Sequence, residues 1–133
     1  MDSKTPLVKK LGIKIGDNIA LINEPDHYDA LIDDWPVGVS ISRDLGEPSF
    51  DFIHYFCKSA AKLEADLPGL KAHLAKTGKL WVSWPKQAPS AKTDLSDSVV
   101  RELGLANRLV DTKVAAIDET WSGLKFVYRS NNR

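Results

Sequence analysis

The stretch "IALINEPDHYDAL", residues 19–31, decides how the chain is read. Four apolar residues, Ile19 to Ile22, run unbroken into a turn. A continuous apolar run, rather than an alternating one, suits a parallel strand buried on both faces. Beyond the turn, Tyr28, Leu31, Ile32 and Trp35 fall at helical spacing, and Pro36 ends the segment. Strand, turn and helix in this order form the corner at which open α/β sheets hold nucleotides, ordinarily on a glycine-rich turn. Here the turn is Asn23-Glu24-Pro25-Asp26, with no glycine. Pro25 lacks a backbone N–H, and Glu24 and Asp26 repel anions. The corner therefore predicts no phosphate cradle.

Working outward, residues 1–17 read as a lead-in with Gly12 and Gly16 before the first strand, about residues 18–23. "VGVSISRD" reads as the second strand, "GEPS" as a turn, and "FDFIHYF" (50–56) as the third strand. Residues 59–77 read as helical in two pieces, broken at Pro68, with Asp66 capping the second piece and Gly78 stopping it. "KLWVSW" is the fourth strand, and Ser96 caps a helix carrying Val99, Val100 and Leu103. "LVDTKVAAI" and "LKFVYR" form the last two strands, joined by "DETWSG". Alternating strands and helices predict a three-layer α/β domain with a mainly parallel sheet. The last link is too short for a crossover, so these strands form an antiparallel hairpin. The link between strands two and three is also short. Those strands stay parallel only if strand two is brief and the link runs back along the sheet.

With 133 residues the chain is read as one domain, 1–133. Eighteen basic and eighteen acidic residues cancel, and Lys and Arg are scattered, so no nucleic acid is expected as partner. No apolar run approaches a membrane span, and the N-terminus carries no signal-peptide core. The single cysteine, Cys57, allows no internal disulfide. The expected setting is cytoplasmic, away from membranes.

Three stretches carry a more specific likeness. "KLGIKIGDNIALINEP", "GKLWVSWPK" and "DETWSGLKFVYR" resemble a small bacterial family of unknown function with a methyltransferase-like, Rossmann-like fold. The likeness extends over nearly the whole chain from about Lys10. It implies a truncated S-adenosylmethionine-dependent methyltransferase-like fold with strand order 2-1-3-4-6-5. One strand–helix unit after strand two is expected to be missing. It implies no activity. The chain also departs from methyltransferases at the first corner, where those enzymes carry an acidic residue followed by a Gly-x-Gly pattern.

Ligands of open α/β sheets sit outside the carboxyl ends of the strands. The topology brings Asn23, Glu24, Arg43, Asp44, Cys57, Lys58, Trp84, Lys86, Asp118, Glu119, Trp121 and Ser122 to that edge. Asp44 follows Glu24 at the rough spacing of a ribose-binding acid in dinucleotide folds, although an acid in a solvated turn is the plainer reading. Cys57 and His54, three apart on an extended segment, point to opposite faces and make no nucleophile–base pair. A buried small hydrophobe is the plainer reading of Cys57. His27, His54 and His73 make no metal-ligand cluster. Trp81 reads as core. Trp84, Lys86, Asp118, Glu119 and Trp121 are expected to gather as a ligand or partner edge or as a lock on the hairpin, with Lys86 meeting one of the acids. Adjacent Asp118 and Glu119 diverge, which favours a capped turn over paired acid–base work.

The expectation is a non-catalytic methyltransferase-like domain that binds a protein partner or small ligand at the carboxyl edge, without cofactor or metal. The alternative is an S-adenosylmethionine- or nucleotide-binding methyltransferase with an atypical corner, using Asn23, Glu24 and Asp44. An enzyme of unrelated chemistry built on Lys86 and Asp118 is a third reading.

Overall fold

The computed structural model describes residues 6–32, 35–46, 49–86 and 93–129. The elements run α1 (Leu7–Leu11), β1 (Asn18–Ile22), α2 (Tyr28–Ile32), β2 (Ser40–Ser42), β3 (Phe50–Phe56), α3 (Ala60–Ala72), β4 (Leu74–Pro85), α4 (Asp97–Ala106), β5 (Leu109–Ala116) and β6 (Trp121–Tyr128). The six strands form one sheet in the order β2-β1-β3-β4-β6-β5. The pairs β1–β2, β1–β3 and β3–β4 are parallel. The pairs β4–β6 and β5–β6 are antiparallel.

Period-two alternation divides the apolar residues into two cores. Ala20, Ile53, Tyr55, Leu80, Val82 and Trp84 point to the face covered by Leu63, Leu67 and Leu70 of α3 and Val100 of α4. Ile19, Leu21, Phe52, Phe56 and Trp81 point to the face covered by Leu11 of α1 and by Tyr28 and Ile32 of α2. Strands β1 and β3 are thus covered on both sides, which is why they read as unbroken apolar runs.

Strand β2 has three residues, not the eight of "VGVSISRD". It pairs with β1 only from Asn18 to Ala20. Strand β3 begins at Phe50, beside β1 on its other side. The brevity of β2 is what lets a short link keep the two strands parallel. Helix α2 is likewise limited to five residues.

The region 59–77 differs more. Helix α3 is continuous through Pro68, and its cap is Ser59, whose Oγ accepts from the Lys62 N–H. Asp66 caps nothing; it accepts from the Tyr55 hydroxyl and pairs with Lys62 at 3.3 Å. Leu63, Leu67 and Leu70 are all buried against the sheet, and that anchoring spans the proline. The helix ends at Ala72, and residues 74–78 belong to an extended β4 that pairs irregularly with β3 between Phe50 and Phe52. No helix among the described residues is long and apolar enough to cross a membrane.

Candidate functional site

The first corner is built by Asn23. Its backbone is left-handed, with φ of 62°, a conformation that asparagine tolerates and most residues avoid. Asparagine thus supplies the sharp exit from β1 that glycine supplies in nucleotide corners. Its side-chain Nδ2 donates to the Phe56 carbonyl at 3.3 Å, tying the end of β1 to the end of β3.

Register brings the next residues together. Strand β2 stops opposite Ala20, two residues before β1 ends, so Arg43 and Asp44 leave the sheet beside the Asn23 turn. Arg43 Nε donates to Glu24 Oε2 at 2.8 Å, and its guanidinium lies 4.0 Å from Asp29. Asp44 Oδ1 accepts from the Gly46 N–H at 3.1 Å. Two hollows flank Arg43. A cleft of about 420 Å³ lies between the link and α3, with Ile22, Asn23, Asp44, Leu45, Tyr55 and Lys62 among its walls. A smaller hollow of about 230 Å³ follows the corner along Glu24, Pro25, Asp26 and Asp29. The larger cleft stands where β1 changes neighbours between β2 and β3, the position that favours ligands in open sheets. Asn23 and Asp44 line the larger cleft, while Glu24 lines the smaller hollow on the other side of Arg43.

The second predicted group is divided. Pro85 pairs with Trp121 and Trp84 with Ser122, so the two tryptophans share one end of the sheet but face opposite sides. Trp84 is buried in the α3/α4 core. Trp121 packs on the α1/α2 side, edge-on to Phe56 with ring centroids 5.0 Å apart. Lys86 joins through its backbone N–H to the Thr120 carbonyl at 2.8 Å, and among the described residues it makes no ion pair. The partner of Asp118 is His27 instead, with Nε2 and Oδ2 2.8 Å apart. Asp118 Oδ1 accepts from the N–H groups of Thr120 and Trp121, capping the turn. Partial burial pushes the Asp118 carboxyl up, but the His27 and backbone hydrogen bonds outweigh it and hold its pKa below the usual value. Glu119 is exposed.

The remaining candidates fall to the core. Cys57 is buried on the α3/α4 side, and burial raises its thiol pKa, so it is protonated and unreactive. His54 faces the other side, fully buried. Its Nδ1 meets the Tyr28 hydroxyl and its Nε2 the Ser83 hydroxyl, each at 2.7 Å. The ring stacks on Phe56 at 4.3 Å. Burial lowers its pKa to about 3, so the imidazole is neutral. This Tyr28–His54–Ser83 chain joins α2, β3 and β4, and nothing in local sequence signals it. No group of acidic, histidine or cysteine side chains among the described residues is arranged to hold a metal ion.

No protein-family model matches the chain, and no curated protein matches it in sequence. Solved structures do match in three dimensions. Ribosomal protein L11 methylase from Lactobacillus delbrueckii subsp. bulgaricus superposes with a TM-score of 0.57 at 14% identity, over 92% of this chain and 75% of that one. Magnesium protoporphyrin IX methyltransferase from Synechocystis PCC 6803, with bound S-adenosylmethionine, gives 0.59 at 9% identity over 92% and 74%. A chain from the Haloferax volcanii complex of the Trm112 methyltransferase activator with a methyltransferase gives 0.66 at 12% identity over 91% and 86%.

The cofactor of such enzymes can be tested against the residues present here. At the first corner Pro25 offers no N–H, the Asn23 amide is spent on Phe56, and the Glu24 carboxylate is spent on Arg43. At this corner one backbone donor is therefore absent and two side-chain groups are already engaged. The sheet order, the parallel core, the antiparallel end and the superpositions agree: the chain has the fold of the S-adenosylmethionine-dependent methyltransferases, in a truncated form.

Proposed function

We propose that this chain is a non-catalytic binding domain that takes a small ligand in the cleft between the ends of β1 and β3. The observation that carries the reading is the placement of Arg43. It stands between the two hollows with Glu24 at 2.8 Å, closing the first corner while leaving the larger cleft open. That cleft has apolar walls from Ile22, Leu45 and Leu70 and charged groups from Arg43, Asp44 and Lys62. Such a lining suits a small molecule with an apolar body and polar ends. The acid–base side chains of the cleft are Asp44, Asp66, Lys62 and Tyr55, with neither histidine nor cysteine. Tyr55 is held protonated, since burial and its hydrogen bond to Asp66 both raise its pKa. Asp66 is tied to Tyr55 and Lys62, and Asp44 accepts from the Gly46 N–H, which supports binding over proton transfer.

The edge formed by Trp84, Lys86, Asp118, Glu119 and Trp121 is assigned to locking the hairpin. The divided tryptophans and the capped Asp118 turn support that role.

A second reading, an S-adenosylmethionine-binding methyltransferase, draws on the solved neighbours, one of which holds that molecule. Asp44 at the end of β2 favours it, and the filled corner opposes it. One crystallographic experiment separates the two. Protein as purified is expected to show ligand density between Asn23, Tyr55 and Lys62, lost in Arg43→Ala. That variant breaks an ion pair whose arginine is half exposed and costs about 1 kcal/mol of stability. An empty cleft, or density lying in the Glu24–Asp29 hollow with the Arg43 pair opened, contradicts the proposal.

A further inference from the structure

The chain is electrically neutral, with its lysines scattered in sequence, but the fold gathers four of them. Lys113 and Lys125 stand directly opposite each other on β5 and β6. Lys125 is also directly opposite Trp81 on β4, so it faces the α1 side of the sheet, and Lys79 lies two residues before Trp81 on that same face. A residue and its diagonal neighbour on the adjacent strand lie within reach of long side chains. The C-terminal end of α1 fixes the other side. Lys113 Nζ donates to the Lys10 carbonyl at 3.1 Å. The Lys79 stem crosses Gly12, where an added Cβ would stand 3.0 Å from Lys79 Cε. Lys14 follows in the chain two residues later.

This arrangement is costly. Like charges directly opposite on paired strands repel. The ion pairs among the described residues are His27–Asp118, Arg43–Glu24, Arg43–Asp29, Lys62–Asp66 and Arg101–Asp111, so none neutralises these lysines. Asp17, three residues after Lys14, turns Oδ2 to the Lys14 backbone N–H. Lys125 registers the crowding: partial burial lowers its pKa first, and Lys79, Lys113 and Lys14 lower it further. A solvated charged face ordinarily interleaves both signs. Here one sign converges from a loop and three strands, at the α1 face and apart from the carboxyl-edge cleft.

We propose that Lys14, Lys79, Lys113 and Lys125 form a binding site for a compact, soluble polyanion bearing clustered phosphate groups, of the pyrophosphate type. The site lies outside the cleft and is independent of its function. Convergence on one spot, rather than a stripe, favours a compact ligand over a nucleic-acid backbone. The cations are lysine point charges, without the planar fork of arginine. The large exposed apolar side chains among the described residues are Ile15, Val37, Leu105 and Val114, none of them aromatic, so no platform for stacking bases accompanies the charge.

The test is an amide NMR titration of the whole chain with inorganic pyrophosphate, beside inorganic phosphate, an anionic phosphatidylglycerol vesicle and a single-stranded oligonucleotide. Saturable shifts at Gly12, Lys79, Lys113 and Lys125 are expected, with a Kd of about 1 mM or tighter for pyrophosphate. Single phosphate should bind more weakly. Lys125→Met should weaken pyrophosphate binding by about tenfold while leaving the urea midpoint unchanged or raised, because it relieves like-charge repulsion. The Leu21–Asn23 amides at the cleft should not move. No saturable shift, shifts unaffected by Lys125→Met, or binding confined to the vesicle or the oligonucleotide would overturn the proposal.

Discussion

At the scale of single residues, the buried His54 imidazole governs how the folded chain answers acid. Burial holds its folded pKa near 3, below the ordinary 6.5. Between those values the unfolded chain binds the proton and the folded chain does not. Stability is therefore complete above about pH 6.5 and falls as the pH drops, by at most about 1.4 kcal/mol per unit for this one group. Urea midpoints compared at about pH 7 and pH 5 should show that fall, and His54→Gln should flatten it from a lower starting point. Equal midpoints in the parent chain would mean that His54 accepts its proton in place. Trp121 belongs to the same scale. It leans on Phe56 and follows the Asp118 cap, so Trp121→Ala is expected to cost about 3 kcal/mol, at the low end for an emptied aromatic site. A loss near zero in equilibrium unfolding would return Trp121 to the candidate binding surface. Period-two alternation was enough to separate Cys57 from His54. The pairing of His27 with Asp118 was illegible, because they stand 91 positions apart and only the packed sheet brings the two turns together.

At the scale of elements, α3 sets tertiary packing against local propensity. Pro68 removes a helix hydrogen bond and crowds the preceding turn, which is why the sequence reads as two helices. Leu63, Leu67 and Leu70 bury one stripe on the sheet, and the observed helix runs through. The cost of the proline is then carried by the folded state. Pro68→Ala should raise stability by about 1–3 kcal/mol in urea unfolding, and a decrease would show that the kink is needed for the stripe to pack. The same competition explains the start of β4. "LAKTG" has a helical composition but lies beside Phe50 at the sheet, and its irregular pairing there gives no alternation to detect. Strand β2 was overextended for a related reason. Apolar Val37 and Val39 lengthen the strand signal, yet only Ser40–Ser42 has β1 alongside it.

At the scale of the whole molecule, the parallel core and the antiparallel end were legible from local rules, alternation of strand and helix and the length of each link, whereas the order β2-β1-β3-β4-β6-β5 was implied by the resemblance to the methyltransferase-like family. Charge was not legible. Equal numbers of acidic and basic residues say nothing about where the lysines meet, and the gathering of Lys79, Lys113 and Lys125 follows only from register. The Asn23–Glu24 corner lies between these cases. Its lack of glycine was plain, whereas the capture of Glu24 by Arg43 needed β2 to stop two residues short of the end of β1. The proposal rests on that corner, where Arg43 holds Glu24 within a methyltransferase fold. Calorimetric titration of the purified chain with S-adenosylmethionine tests it most directly. The account predicts no heat beyond dilution up to a ligand concentration of about 1 mM, while a saturable isotherm with a Kd near 1 μM, about 8 kcal/mol of binding free energy, would contradict it.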